Sequence, residues 1–156
     1  MTKNHVTTVA AAAPALLADV LRRVGQIHMR ATGGSMLPAI GPGDVLLVRA
    51  CALDVVESGD VVLFTNDGRV FAHRLIEKDL DRGFFVTRGD SNWRNDPPAD
   101  ASELLGQVIA VRRRGQVFGV PADCTCFDRA RGLAASEWIA VIRRARALVR
   151  LATEPA

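Results

Sequence analysis

Gly59-Asp60-Val61-Val62-Leu63-Phe64-Thr65-Asn66-Asp67-Gly68-Arg69-Val70-Phe71-Ala72-His73-Arg74-Leu75-Ile76 is the stretch that decides the fold. Two runs rich in β-branched and aromatic residues, 61–64 and 70–76, flank a polar segment that contains Asp67-Gly68. Such side chains suit a pleated, half-buried surface, and Asp-Gly tolerates the positive φ angles of a tight hairpin turn. The stretch predicts an antiparallel hairpin. The same pattern recurs outward from it. Residues 45–48 follow the turn Gly41-Pro42-Gly43-Asp44, residues 84–87 follow Asp81-Arg82-Gly83, and residues 108–112 and 116–120 flank Arg114-Gly115. Residues 26–121 therefore predict a mainly β domain of antiparallel strands.

The flanks differ in period. After Pro14, Leu16, Leu17, Val20, Leu21 and Val24 recur at helical spacing and Gly25 closes the run, which predicts a short amphipathic helix over 15–24. Residues 133–151 predict a second helix. Trp138, Ile139, Ile142 and Leu148 mark one side, and Arg143, Arg144, Arg146 and Arg150 the other. A basic amphipathic helix can pack its apolar face on the β domain or lie peripherally on anionic lipid. The organisation expected is an N-terminal segment 1–25, a β domain 26–121 and a C-terminal basic helix and tail 122–156.

Composition excludes several classes. The chain has 156 residues, 49% hydrophobic and 24% charged, enough for one domain with a real core and unlike a disordered or collagenous chain. Its net charge of +3 is too mild for a nucleic-acid-binding surface, so no nucleic-acid partner is expected. Cys51, Cys124 and Cys126 cannot form a paired framework, and His5, His28 and His73 show no ligand spacing. No metal or other cofactor is expected, and reduced thiols fit a cytoplasmic location. The most apolar stretch, 6–18, is interrupted by threonines and Pro14, short of the roughly 18–20 uninterrupted residues of a membrane span.

Three segments could carry chemistry. In Gly33-Gly34-Ser35-Met36-Leu37-Pro38, the glycines let backbone approach a substrate and leave amides free around a serine. A serine so placed can be a nucleophile whose own amide helps stabilise an oxyanion. His73, on the return strand of the hairpin, can serve as its base if the fold brings the two together. In Thr87-Arg88-Gly89-Asp90-Ser91-Asn92-Trp93-Arg94-Asn95-Asp96-Pro97-Pro98, either acid could orient a histidine. Asp96, restrained by Pro97, has the better-defined side-chain direction.

Taken in order, Ser35-Met36-Leu37-Pro38 with Gly43-Asp44, the 59–76 hairpin with Ala72-His73-Arg74, and Thr87-Arg88-Gly89-Asp90-Ser91-Asn92 with Asp96 resemble the boxes of type I signal peptidases and LexA-like serine peptidases. The closest branch is the one that uses histidine as base, the archaeal and endoplasmic-reticulum type. The resemblance spans residues 26–112. It implies a coiled antiparallel β domain, Ser35 as nucleophile, His73 as base and Asp96 as supporting acid, with Gly33, Gly34 and Met36 at the oxyanion and substrate site. Asp90 would then be structural. It also implies an endopeptidase acting on an extended protein or peptide with small residues before the cut.

Two departures bear on that expectation. Many relatives carry a serine where this chain has Gly33, so oxyanion stabilisation would rest on backbone amides, chiefly that of Ser35. Signal peptidases usually enter the domain from a membrane anchor, whereas this sequence has the short helix 15–24. The alternatives are a LexA-like regulator that cleaves itself, for which 25 preceding residues are too few to hold a DNA-binding domain, and a non-catalytic module of the same fold that binds peptide strands. Histidine, ordinarily titrating near pH 6.5, can act as base without the deep burial that a lysine needs.

Overall fold

The computed structural model describes residues 14–121. The predicted C-terminal helix, Cys124 and Cys126 lie outside the described residues.

Helix α1, Pro14–Val24, begins on Pro14, whose missing N–H costs nothing in a first turn. It ends where Gly25 N donates back to Leu21 O at 2.8 Å. Among the described residues, eight strands follow: β1 Gln26–Arg30, β2 Val45–Ala50, β3 Val61–Asn66, β4 Arg69–Asp79, β5 Phe84–Arg88, β6 Ala99–Asp100, β7 Leu104–Arg113 and β8 Gln116–Phe118. A single 3₁₀ turn, Ala101–Glu103, joins β6 to β7. All described pairings are antiparallel, in the order β1-β2-β7-β3-β4-β5-β6 with β8 on β7, and the sheet curls into a half-barrel. The fold is mainly β, as the strand-and-turn pattern predicts.

The deciding hairpin is tighter than its polar segment suggests. Asn66 pairs with Arg69, leaving only Asp67 (φ 48°) and Gly68 (φ 69°) in the turn. Two positive φ angles mark a two-residue turn whose twist matches that of the strands it joins. Three elements were not separately anticipated: β1, the two-residue β6 and the 3₁₀ turn.

Among the described residues the core has two compartments, one on each face of β3. Val61 and Leu63 join Leu17 and Leu21 of α1 with Ile27, Met36, Ile40, Leu46, Val48, Val108 and Val111. Val62 and Phe64 join Leu53, Val56, Leu75, Phe85 and Ala99 on the other face. Side chains alternate across a strand, so a strand apolar at every position must be covered on both faces. That explains the unbroken Val-Val-Leu-Phe. Helix α1 is thus part of the same core as the sheet.

Candidate active site

The site is assembled from three connections that the sheet brings to one place. The first is the long segment between β1 and β2. Its base is closed by Ala31 N to Asp44 O and Gly43 N to Ala31 O, both 2.8 Å. Asp44, 5% exposed, accepts from Gly41 N and receives the Arg113 guanidinium of β7 at 2.6 Å. Burial alone would raise the Asp44 pKa, but hydrogen bonds from Arg113 and Gly41 and the arginine's charge hold it below the ordinary carboxylate value. Met36, 3% exposed, and Ile40, 2%, anchor the segment in the core from above. Ser35 therefore sits on a loop fixed at both sides.

The second contribution is β4. His73 pairs with Val62 and faces the same compartment, with Phe64 and Phe71 packed at ring centroid distances of 6.1 and 5.7 Å. Its neighbour Arg74 points to the opposite face, as strand geometry requires. There it forms a two-point ion pair with Asp90, both contacts 2.7 Å, and donates to the carbonyls of Gly59 and Pro121.

The third is β5 and the turn after it. Thr87 pairs with Leu75 and so shares the face of His73. Asp96 N donates to Thr87 O at 2.8 Å, which folds Asp96 back over the strand.

These elements produce one continuous chain of contacts. Ser35 Oγ lies 2.9 Å from His73 Nε2, and His73 Nδ1 lies 2.6 Å from Asp96 Oδ2. Thr87 Oγ1 donates to the same Asp96 oxygen at 2.7 Å. Burial would raise the Asp96 pKa, but hydrogen bonds from His73 and Thr87, and then the charge of His73, hold it below the ordinary carboxylate value. An ionised carboxylate only accepts, so Nδ1 must carry the ring proton and Nε2 is left to accept from the serine hydroxyl. Chemically, the arrangement can withdraw a proton from Ser35 and deliver it elsewhere.

Of the two acids, Asp96 meets His73 and Asp90 meets Arg74. Gly33 is exposed at the edge of a cleft of about 510 Å³, which Ser35, His73, Met36, Ala31 and Ala72 also line. Gly34 contributes its carbonyl to contacts with Leu37 N, 3.2 Å, and Ser91 Oγ, 3.0 Å. A larger hollow of about 700 Å³ lies beside Cys51, whose thiol burial pushes to a higher pKa, and it contains no acid–base pair. Among the described residues, no cluster of His, Cys, Asp or Glu has metal-site geometry. Nor is any described helix long and apolar enough to cross a membrane.

The sequence by itself assigns no role to Thr87, Gly89 or Ser91. A Cβ on Gly89 would stand 2.7 Å from Ser35 O and 2.8 Å from Asn92 Nδ2, so only glycine admits the serine loop so closely. Their signal was the compactness of Thr87-Arg88-Gly89-Asp90-Ser91, in which Thr87, Asp90 and Ser91 meet different partners: Asp96, Arg74, and the Gly34 and Ser35 carbonyls.

The family described as Peptidase S24-like matches residues 11–109. The signal peptidase complex catalytic subunit SEC11C of Homo sapiens is 38% identical over 68 residues, covering 40% of this chain and 35% of the relative. The same protein from Canis lupus familiaris and from Mus musculus matches to the same extent. The match thus spans about a third of the length of these curated relatives.

Proposed function

The chain belongs to the Peptidase S24-like family, and from that premise we propose that it is a serine endopeptidase with Ser35 as nucleophile, His73 as base and Asp96 as supporting acid. The observation that carries the proposal is the unbroken Ser35–His73–Asp96 contact chain, 2.9 and 2.6 Å long. Groups 38 residues apart in the chain meet at hydrogen-bond distance with the ring nitrogens in the correct order for base catalysis.

His73 Nε2 takes the Ser35 proton as Oγ attacks the scissile carbonyl. Asp96 holds the ring in the tautomer that can do so and stabilises the imidazolium that forms. His73 then gives its proton to the leaving amine, and water, activated by the same nitrogen, hydrolyses the acyl-serine. The developing oxyanion is held by backbone amides at Ser35 and Met36.

The substrate is an extended stretch of protein or peptide with small residues before the cut. Residues 29–33 and 69–73 both line the cleft. Strand β1 ends the sheet order, and β5 pairs with β4 only from Arg74 onward, so residues 29–30 and 69–73 each have an edge not paired by a described strand. A peptide strand can add to such an edge through main-chain hydrogen bonds. The small walls at Ala31, Gly33 and Ala72 suit alanine-sized side chains, in keeping with the similarity to a signal peptidase catalytic subunit.

The test is hydrolysis of an alanine-rich peptide by wild type, Ser35→Ala and His73→Ala. Each variant should lose at least ~10²-fold in kcat/KM, and the losses should not add, because the residues act as one unit. A His73→Ala enzyme that keeps more than about a tenth of wild-type activity would remove histidine as the base.

A further inference from the structure

We infer that Ser91 is a positioning residue that aims the oxyanion amides of the serine loop. This rests on the catalytic reading above and adds the device that aligns the site.

Ser91 is 1% exposed, and its polar groups are directed at two consecutive carbonyls of the loop. Its N–H donates to Ser35 O at 2.9 Å. Its hydroxyl lies 3.0 Å from Gly34 O and 2.9 Å from Ser35 O, so one proton is shared between them. A trans peptide unit is planar, with C=O and the following N–H pointing in opposite directions. Pinning Gly34 O toward the 89–92 turn therefore turns the Ser35 N–H away from it, and pinning Ser35 O does the same for the Met36 N–H. Among the described residues neither amide has a protein acceptor, and both residues line the cleft beside the serine hydroxyl. Two free amide donors on the cleft side of the loop can form an oxyanion site.

The turn that carries Ser91 is itself held from two sides. Asp90 is locked to Arg74 on the far face of β4, and Asn92 N donates to Gly89 O at 2.9 Å. Gly89 adds no side chain between turn and loop. The strand that supplies the base thus also anchors the turn that aligns the oxyanion donors. With glycine at position 33 there is no side-chain hydroxyl at that point of the loop, so amide direction decides how well charge is stabilised.

The experiment compares wild type, Ser91→Ala, Ser91→Thr and Ser35→Ala on an alanine-rich peptide, reading kcat and KM separately across pH, with melting curves alongside. Misaligning donors whose removal costs ~10²–10³ should lower kcat of Ser91→Ala by roughly 10–100-fold. KM should stay within about twofold, and the acid limb of the pH profile should not move, because the His73–Asp96 contact is untouched. Ser91→Thr, which restores the hydroxyl, should recover most of the lost kcat. A Ser91→Ala enzyme within about twofold of wild-type kcat, a loss carried by KM, a shifted acid limb, or a threonine variant no better than alanine would overturn the inference. Equal activity in wild type and Ser35→Ala would overturn the catalytic assignment itself, and the role of Ser91 with it.

Discussion

Replacing Asp96 by asparagine tests the electrostatics of the site, and Thr87 sets the size of the effect. Asp96 Oδ2 accepts two hydrogen bonds, from His73 Nδ1 and Thr87 Oγ1. An asparagine can place either its oxygen or its NH₂ at that point. With oxygen there, both bonds survive, the histidine keeps its productive tautomer and only the negative charge is lost. With NH₂ there, Nδ1 must accept, the proton moves to Nε2, and the base faces Ser35 with its lone pair blocked. In serine triads this wrong-tautomer outcome costs ~10⁴ in rate. Thr87 opposes it. Its side chain is 1% exposed, so turning the amide would leave a buried hydroxyl proton without its acceptor, at a cost of about 1–3 kcal/mol. At 1.4 kcal/mol per decade that bias is worth roughly 5–150-fold. Asp96→Asn should therefore lose kcat/KM on an alanine-rich peptide at pH 8, and the loss should be about 5–150 times larger in a Thr87→Val background. Equal losses in the two backgrounds would refute the orienting role of Thr87. No loss in either would remove Asp96 from the mechanism.

Leu21→Ala, at a side chain 1% exposed where α1 meets the sheet, should cost about 2–5 kcal/mol in denaturant unfolding. A change under about 0.5 kcal/mol would mean that α1 is not part of the core. Asp90→Ala should cost about 3–5 kcal/mol, because it leaves the buried Arg74 guanidinium without its carboxylate. Chemical denaturation of this variant measures the cost, and wild-type stability would contradict the pairing. Asp44 has a folded pKa held below its unfolded value, so its stabilisation is present above the ordinary carboxylate range and disappears as pH falls through the folded pKa. The difference in melting temperature between wild type and Asp44→Asn should accordingly be largest near neutrality and shrink below about pH 4. A difference that grows on acidification would reverse the assigned sign.

The hairpin was legible because its determinants are local. Asp67-Gly68 accommodates two positive φ angles without steric cost, and an uninterrupted Val-Val-Leu-Phe belongs to a strand covered on both faces. Helix α1 announced itself by period and by Pro14 and Gly25 at its ends. Strand β1, Gln26-Ile27-His28-Met29-Arg30, has no comparable signal, with one fully buried side chain and no turn residue inside it. It is a strand because β2 offers it a ladder from Gln26↔Arg49 to Arg30↔Val45, and such partners are chosen by topology.

The same division runs through the site. Ser35, His73 and two candidate acids could be named from their motifs; the family resemblance pointed to Asp96, but the residues by themselves did not say which acid meets the imidazole. That was decided by strand geometry: His73 and Arg74 are consecutive, point to opposite faces and therefore recruit different carboxylates, Asp96 and Asp90. The functions of Thr87 and Ser91 depend on contacts made 9 and 56 residues away in the chain. Residue types and turns come from short-range sterics and are written in the sequence. The distance from Ser35 Oγ to His73 Nε2, and the direction of the amides beside it, exist only once the sheet has curled and packed both faces of β3.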